Sequence, residues 1–285
     1  MMAARKVNNS EILSNVHNAM RLLTSAIEAL SVNSFHEEQT TLLSSAGAPD
    51  KSIPLNWNTP PYVVRQRTGS PPVAVQNAQV APARYVVFDF ETSGIGKTTN
   101  VRVCQIGATA LAEDFTVIDH FAHFCNPLVK MDQGAQNVHG FNTEFVSKFD
   151  SWEVVGGNFM RWLDLQRNAS QDHQLTLMAH NGKRFDARIL VSENARHGIG
   201  MPRNLYHCDS IDVMKILFPG RNSYSLGRIY EDVIGNPLAD AHDAMADVNG
   251  VIQVLKCGHL GELTDAISLK QESFNHIIKR ALRVT

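Results

Sequence analysis

Apolar residues follow three different rhythms along this chain. Over residues 10–30 they fall at Ile12, Val16, Met20, Leu23, Ile27 and Leu30. Those alternating steps of three and four predict an amphipathic helix, with Ser10 as its N-cap. Such a helix suits packing against the rest of the protein, a second copy or a partner protein. From about residue 44 to 83 the rhythm is lost. Pro49, Pro54, Pro60, Pro61, Pro71, Pro72 and Pro82 interleave with Ser, Asn, Gln and Thr, the composition of an irregular linker.

From residue 84 short apolar runs alternate with helical periodicity. Strands are predicted at about 84–91, 101–111 and 117–125, the three forming an antiparallel meander. Residues 152–167 carry helical spacing through Phe159, Trp162, Leu163 and Leu165. A strand at about 175–180 leads into a helix at 184–197, which Gly198 stops. A short strand at 205–209 precedes helices near 211–217, 225–234 and 242–256. The tail, 263–282, is amphipathic, with Lys279, Arg280 and Arg283 suiting the negative end of a helix dipole; it reads as one packing helix. Strands first, then strands alternating with helices, predict an α/β fold with a mixed central sheet and helices on both faces. The chain thus divides into an extension (1–43), a linker (44–83), a main domain (84–258) and a C-terminal helix (259–285).

The first strand ends in chemistry. Tyr85-Val86-Val87-Phe88-Asp89-Phe90-Glu91-Thr92 is an apolar run with two acids two residues apart, so Asp89 and Glu91 leave by one face. Two carboxylates buried together must be neutralised, and oxygen-preferring divalent cations do this. A solvated acidic strand end is the plainer alternative. Two later segments change the balance: Asn181-Gly182-Lys183-Arg184-Phe185-Asp186, after the apolar run 175–179, and His242-Asp243-Ala244-Met245-Ala246-Asp247, each opening a helical pattern.

The Asp-x-Glu-Thr-x-Gly, Asn-x-x-x-Phe-Asp and His-x-x-x-x-Asp elements, in that order, resemble the three motifs of the DEDD exonucleases, in their His-containing branch. That branch holds the DnaQ-like proofreading subunit of bacterial DNA polymerase, RNase T, and the TREX and ISG-type nucleases. Gln105-Ile106-Gly107-Ala108 looks like the family's second strand, and Val138-His139-Gly140-Phe141 like its Ile-His-Gly loop. The resemblance covers about residues 84–256. It implies a ribonuclease H-like fold and a metal-dependent 3′–5′ exonuclease acting on single-stranded DNA or RNA 3′ ends. Asp89, Glu91, Asp186 and Asp247 would hold two Mg²⁺ ions, for which Mn²⁺ can substitute. His242 would be the general base, which suits an imidazole titrating near neutrality. Asp240 and Asp243 flank it and could orient the ring or cap the helix.

By the same resemblance Thr92, Gly94 and Ile95 meet the terminal nucleotide, with Ile95 wedged against its base or simply packed locally. Phe185 offers a ring for stacking on sugar or base, although its place in the helical period suits core packing better. Lys183 and Arg184 could meet phosphate or form a solvated helix start. Two other readings compete. One is an RNA trimmer like RNase T or oligoribonuclease; the other is a catalytically silent nucleic-acid-binding scaffold of the same fold.

Charge tests this picture. The net charge is −2, and from residue 84 onward 20 Lys and Arg face 23 Asp and Glu. That balance argues against a long electrostatic grip on duplex. It suits an enzyme that meets phosphate through cations. The four cysteines are far apart with no Cys-x-x-Cys pair, which favours reduced thiols over a zinc site or disulfide framework. No apolar run reaches the roughly eighteen residues of a membrane span, and the N-terminus lacks an apolar signal region. The expectation is an intracellular protein, cytoplasmic or nuclear, without membrane contact.

Overall fold

A computed structural model describes residues 82–94, 96, 100–170 and 174–282. The expected helix at 10–30, nearly all of the linker, Ile95 and Arg283 lie outside these residues. Among the described residues six strands form one sheet in the order β3-β2-β1-β4-β5-β6. β1 (Tyr85–Thr92), β2 (Val103–Leu111) and β3 (Val117–Phe124) make the antiparallel meander. β4 (Leu175–Ala179) lies parallel to β1, β5 (Leu205–Asp209) parallel to β4, and the two-residue β6 (Glu272–Ser273) antiparallel to β5.

Helices fill the connections: α1 (Gln133–His139), α2 (Thr143–Val146), α3 (Trp152–Ala169), α4 (Asp186–Arg196), α5 (Ser210–Leu217), α6 (Leu226–Ile234), α7 (Ala244–Lys256), α8 (Leu260–Lys270) and α9 (Phe274–Leu282). None of the described helices is long and apolar enough to cross a membrane. Two expectations change here. Segments 133–139 and 143–146 are helical, too short to show a period. The tail is two helices, broken where the Thr176 hydroxyl donates to Gln271 Oε1 at 2.9 Å and Glu272–Ser273 add to the sheet.

β1 runs through the middle of the sheet with core on both faces, and its alternation sorts the layers. Val86, Phe88 and Phe90 face one core, with Phe121 and with Phe159 and Trp162 of α3. Tyr85 and Val87 face the other, with Val248, Val251, Ile252 and Leu255 of α7. Each such side chain contributes about 1.5–3 kcal/mol on full burial, so the strand is fixed along its length. Asp89 and Glu91 continue the parity of Tyr85 and Val87 and therefore point to the side that α7 covers.

Candidate active site

The acids of β1 stand where α7 begins. Across the antiparallel ladder Asp89 faces Gly107 and Glu91 faces Gln105. A Cβ on Gly107 would lie 2.7 Å from the backbone carbon of Ala244 and 2.8 Å from the Met245 nitrogen; only glycine lets the helix start rest on β2. Asp247 thereby reaches the acid pair from the first turn of α7. One oxygen or ring nitrogen from each of Glu91, His242 and Asp247 lies within 4.8 Å of the others. Asp186 arrives from the start of α4, and the Phe90 backbone N–H donates to its Oδ1 at 3.2 Å. That bond ties the third acid to the strand between the first two.

Burial makes this crowding costly. Glu91 is 8% and Asp186 6% exposed. Burial, and then the charges of Asp247, Asp186 and Asp243, push the Glu91 carboxyl up to about 8. Burial pushes Asp89 well above the usual carboxylate range, reinforced by Asp186, Glu91, Asp247 and Asp243. Asp186 is raised chiefly by burial, against the pull of two backbone N–H groups, and Asp247 is raised by burial too. Among the described residues no lysine or arginine pairs with any of the four. A hard-oxygen donor set that repels itself and has no protein cation fits divalent metal.

His242 occupies a different setting. It is exposed, its φ is +72°, and its backbone N–H reaches Asp247 Oδ2 at 3.4 Å. Asp243 is the helix cap, accepting from Met245 N at 3.0 Å and Ala246 N at 3.1 Å. Of the two roles open to Asp243, capping is thus the one it performs.

The turn after β1 is built from several elements. Thr92 Oγ1 donates to the Gly94 carbonyl at 3.0 Å, and Gly94 lies against the Asp132 side chain so closely that a Cβ would collide with it. His139 fixes the same turn. Its Nδ1 accepts from Phe141 N at 3.1 Å, which leaves Nε2–H to donate to the Thr92 carbonyl at 3.1 Å.

Phe185 corrects the expectation of core packing: it is 43% exposed. The helix starts one residue later, with Phe185 at its N-cap in a non-helical conformation (φ −122°, ψ −89°), so the helical period does not govern its side chain. Lys183 pairs with Asp212 at 2.6 Å and Arg184 is exposed. Asp209 supports this segment and was not singled out from sequence. Its carboxylate accepts from Asn181 N, Lys183 N and Ile211 N, each at 3.1 Å, holding the turn that delivers Asp186. An acid at a strand end directly before a helix pattern was the available signal.

The RNase T exonuclease profile matches residues 86–255. The chain belongs to the RNase T exonuclease family. Its motif order places it in the DEDD exonuclease family, and its mixed six-stranded sheet is that family's ribonuclease H-like fold. It is 24% identical over 170 residues to the 3′–5′ exonuclease DinG of Bacillus subtilis, covering 59% of this chain and 17% of that protein. It is 37% identical over 87 residues to three-prime repair exonuclease 1 of Bos taurus, covering 27% of this chain and 28% of that one. Escherichia coli exonuclease I in complex with a dT13 oligonucleotide shares the fold at TM-score 0.52 and 20% identity, covering 60% of this chain and 40% of that chain. The chain therefore matches well under two thirds of each of these relatives.

Proposed function

We propose that this chain is a divalent-metal-dependent 3′–5′ exonuclease that removes nucleoside monophosphates from single-stranded ends. The observation that carries the reading is the convergence of Asp89, Glu91, Asp186 and Asp247 with the His242 ring at one end of the sheet. Asp89, Glu91, Asp186 and Asp247 would hold two Mg²⁺ ions, or Mn²⁺ in their place. Bound there, the ions supply charge neutralisation on the phosphate and activation of water. His242 accepts the proton of the attacking water, a role that suits a ring exposed to solvent on one side and facing two acids on the other. The backbone of Thr92 and Gly94, held by His139 and Asp132, lines the approach of the 3′-terminal nucleotide, with Ile95 next to it in sequence. Phe185, exposed beside Asp186, offers an aromatic face for a base or sugar. The buried free thiols of Cys104, Cys125 and Cys208 suit a reducing compartment.

The test is a labelled single-stranded DNA and an RNA of the same sequence, incubated with Mg²⁺ with and without EDTA. The expected result is stepwise shortening from the 3′ end that EDTA abolishes. Greater turnover of the RNA would assign the chain to RNA trimming. Absence of cleavage of both substrates overturns the exonuclease reading and favours a nucleic-acid-binding scaffold.

A further inference from the structure

The residue of β2 opposite Glu91 has no role in the chemistry above, yet it touches the other half of the site. Gln105 is buried, at 6% exposure, and its side chain faces the start of α7. Its Nε2 donates to Asp243 Oδ2 at 2.7 Å, and its Oε1 accepts from the Ala244 backbone N–H at 3.1 Å. The other oxygen of Asp243 caps the helix through Met245 and Ala246. One carboxylate is thus shared between the helix it caps and the strand beneath it. His242 precedes that carboxylate directly, and its ring makes no hydrogen bond among the described residues.

We propose that Gln105 is a positioning residue for catalysis: its carboxamide fixes the N-terminal turn of α7 on β2, and through that turn sets where His242 and Asp247 stand relative to Asp89 and Glu91. The chemistry of the clamp is specific. A donor must meet the carboxylate of Asp243 while an acceptor meets the N–H of Ala244, and an amide supplies both from one planar group. A carboxylate at position 105 would offer an oxygen to an oxygen. A thioether would leave buried polar groups without partners, which is costly. Gly107 allows the close approach, and Gln105 gives it one register. The same strand therefore carries, in its partners across the ladder, the alignment of the two sides of the site. The effect on turnover rests on the exonuclease reading; the clamp itself does not.

The experiment exchanges donor and acceptor. Gln105→Glu and Asp243→Asn each place like against like, whereas the double variant lets the position-243 amide donate to the position-105 carboxylate and conserves net charge. Gln105→Met removes both bonds without adding charge. Turnover of single-stranded substrate should fall about 10- to 100-fold in Gln105→Glu and Gln105→Met, with little change in KM, as for a misplaced catalytic group. The double variant should return to within about threefold of the wild type, because the two sites are directly coupled. Metal-free Tm is measured in parallel and should fall in each single variant and recover in the double. Losses that add in the double variant overturn the proposal, as does a Gln105→Met protein with lowered Tm but wild-type turnover, which would leave Gln105 only a packing role. If the wild type cleaves nothing, the exonuclease reading fails. The Tm cycle then still decides whether the clamp exists, with recovery supporting it and additivity refuting it.

Discussion

Asp89, Glu91 and Asp186 sit at the ends of elements that the core grips, with Asp186 bonded to the backbone of β1. His242 stands across from them on an exposed turn with a left-handed backbone, attached by a 3.4 Å bond to Asp247. The strand side has been given rigidity and burial, which raise the cost of uncompensated charge. The helix side has been given access to solvent and a backbone that few residues adopt without glycine. A group that only binds gains from being fixed, because its oxygens must stay crowded; a group that exchanges protons must reach water. Under the proposed function the contrast would separate metal holding from proton transfer, and each variant below tests one side of it.

The largest effect is expected on the strand side. Asp89→Ala removes an oxygen from the most crowded position, and turnover should fall on the order of 10³-fold or more if the proposed metal site holds, because bound metal there would supply several kcal/mol to the transition state. The same substitution removes a half-buried carboxyl that its neighbours oppose. Metal-free Tm should therefore hold or rise, while the Mn²⁺-induced rise in Tm shrinks. A Tm response to Mn²⁺ equal to that of the wild type would remove Asp89 from the metal site.

Next comes the helix side. His242→Ala should cost about 10²- to 10⁴-fold in turnover, the usual worth of acid–base catalysis, and leave the Mn²⁺ response of Tm nearly intact. Loss of that response as well would make the imidazole a metal ligand, a role its nearness to Glu91 and Asp247 also permits, and would collapse the distinction between the two sides.

These two substitutions draw on residues legible from the sequence, and it is instructive which were not. The i, i+2 spacing of Asp89 and Glu91 was enough to place both on one face, because a strand has a fixed period and apolar neighbours declared its burial. Asp186 and Asp247 were legible through motif order. Phe185 was misread because the helix boundary lies one residue beyond it, and a shift of one residue changes which way a side chain points. The break at Gln271 in the C-terminal tail was hidden because its cause is distant: the Thr176 hydroxyl and the edge of β5 recruit that segment. Gln105 could be placed on a strand, but its bond to Asp243 spans 138 residues and no local pattern encodes it.

A third effect uses pH and acts on the strand side alone. Glu91 is raised to about 8 in the folded protein, so between the ordinary carboxylate range and that value the folded chain keeps a proton that the unfolded chain has lost. Stability from this source is fullest below the ordinary range and is lost as pH rises toward about 8. Metal-free Tm should fall between about pH 6 and pH 8, and Mn²⁺, which favours the ionised form, should raise Tm more at the higher pH. An equal Mn²⁺ response at both values would mean that the acids are already ionised without metal.

The smallest effect is expected where the two sides meet. In Gly107→Ala the new methyl would face backbone atoms of Ala244 and Met245 at 2.7–2.9 Å, and backbone cannot rotate away as a side chain can. The start of α7 must lift, at about 1–3 kcal/mol for overpacking, carrying His242 and Asp247 from β1 while Asp89 and Glu91 keep their places. Gly250→Ala is the matched control on the same helix. Its methyl would meet Leu238 Cδ1 at 2.9 Å, the free end of a flexible side chain that can turn aside. Both variants add one methyl to a glycine contact of α7, yet only the first displaces the helix start from the sheet. Gly107→Ala should lose about tenfold in turnover at temperatures where it remains folded, and Gly250→Ala much less. Equal losses would show that α7 responds to any added volume, and that its seat on β2 does not govern the alignment of the site.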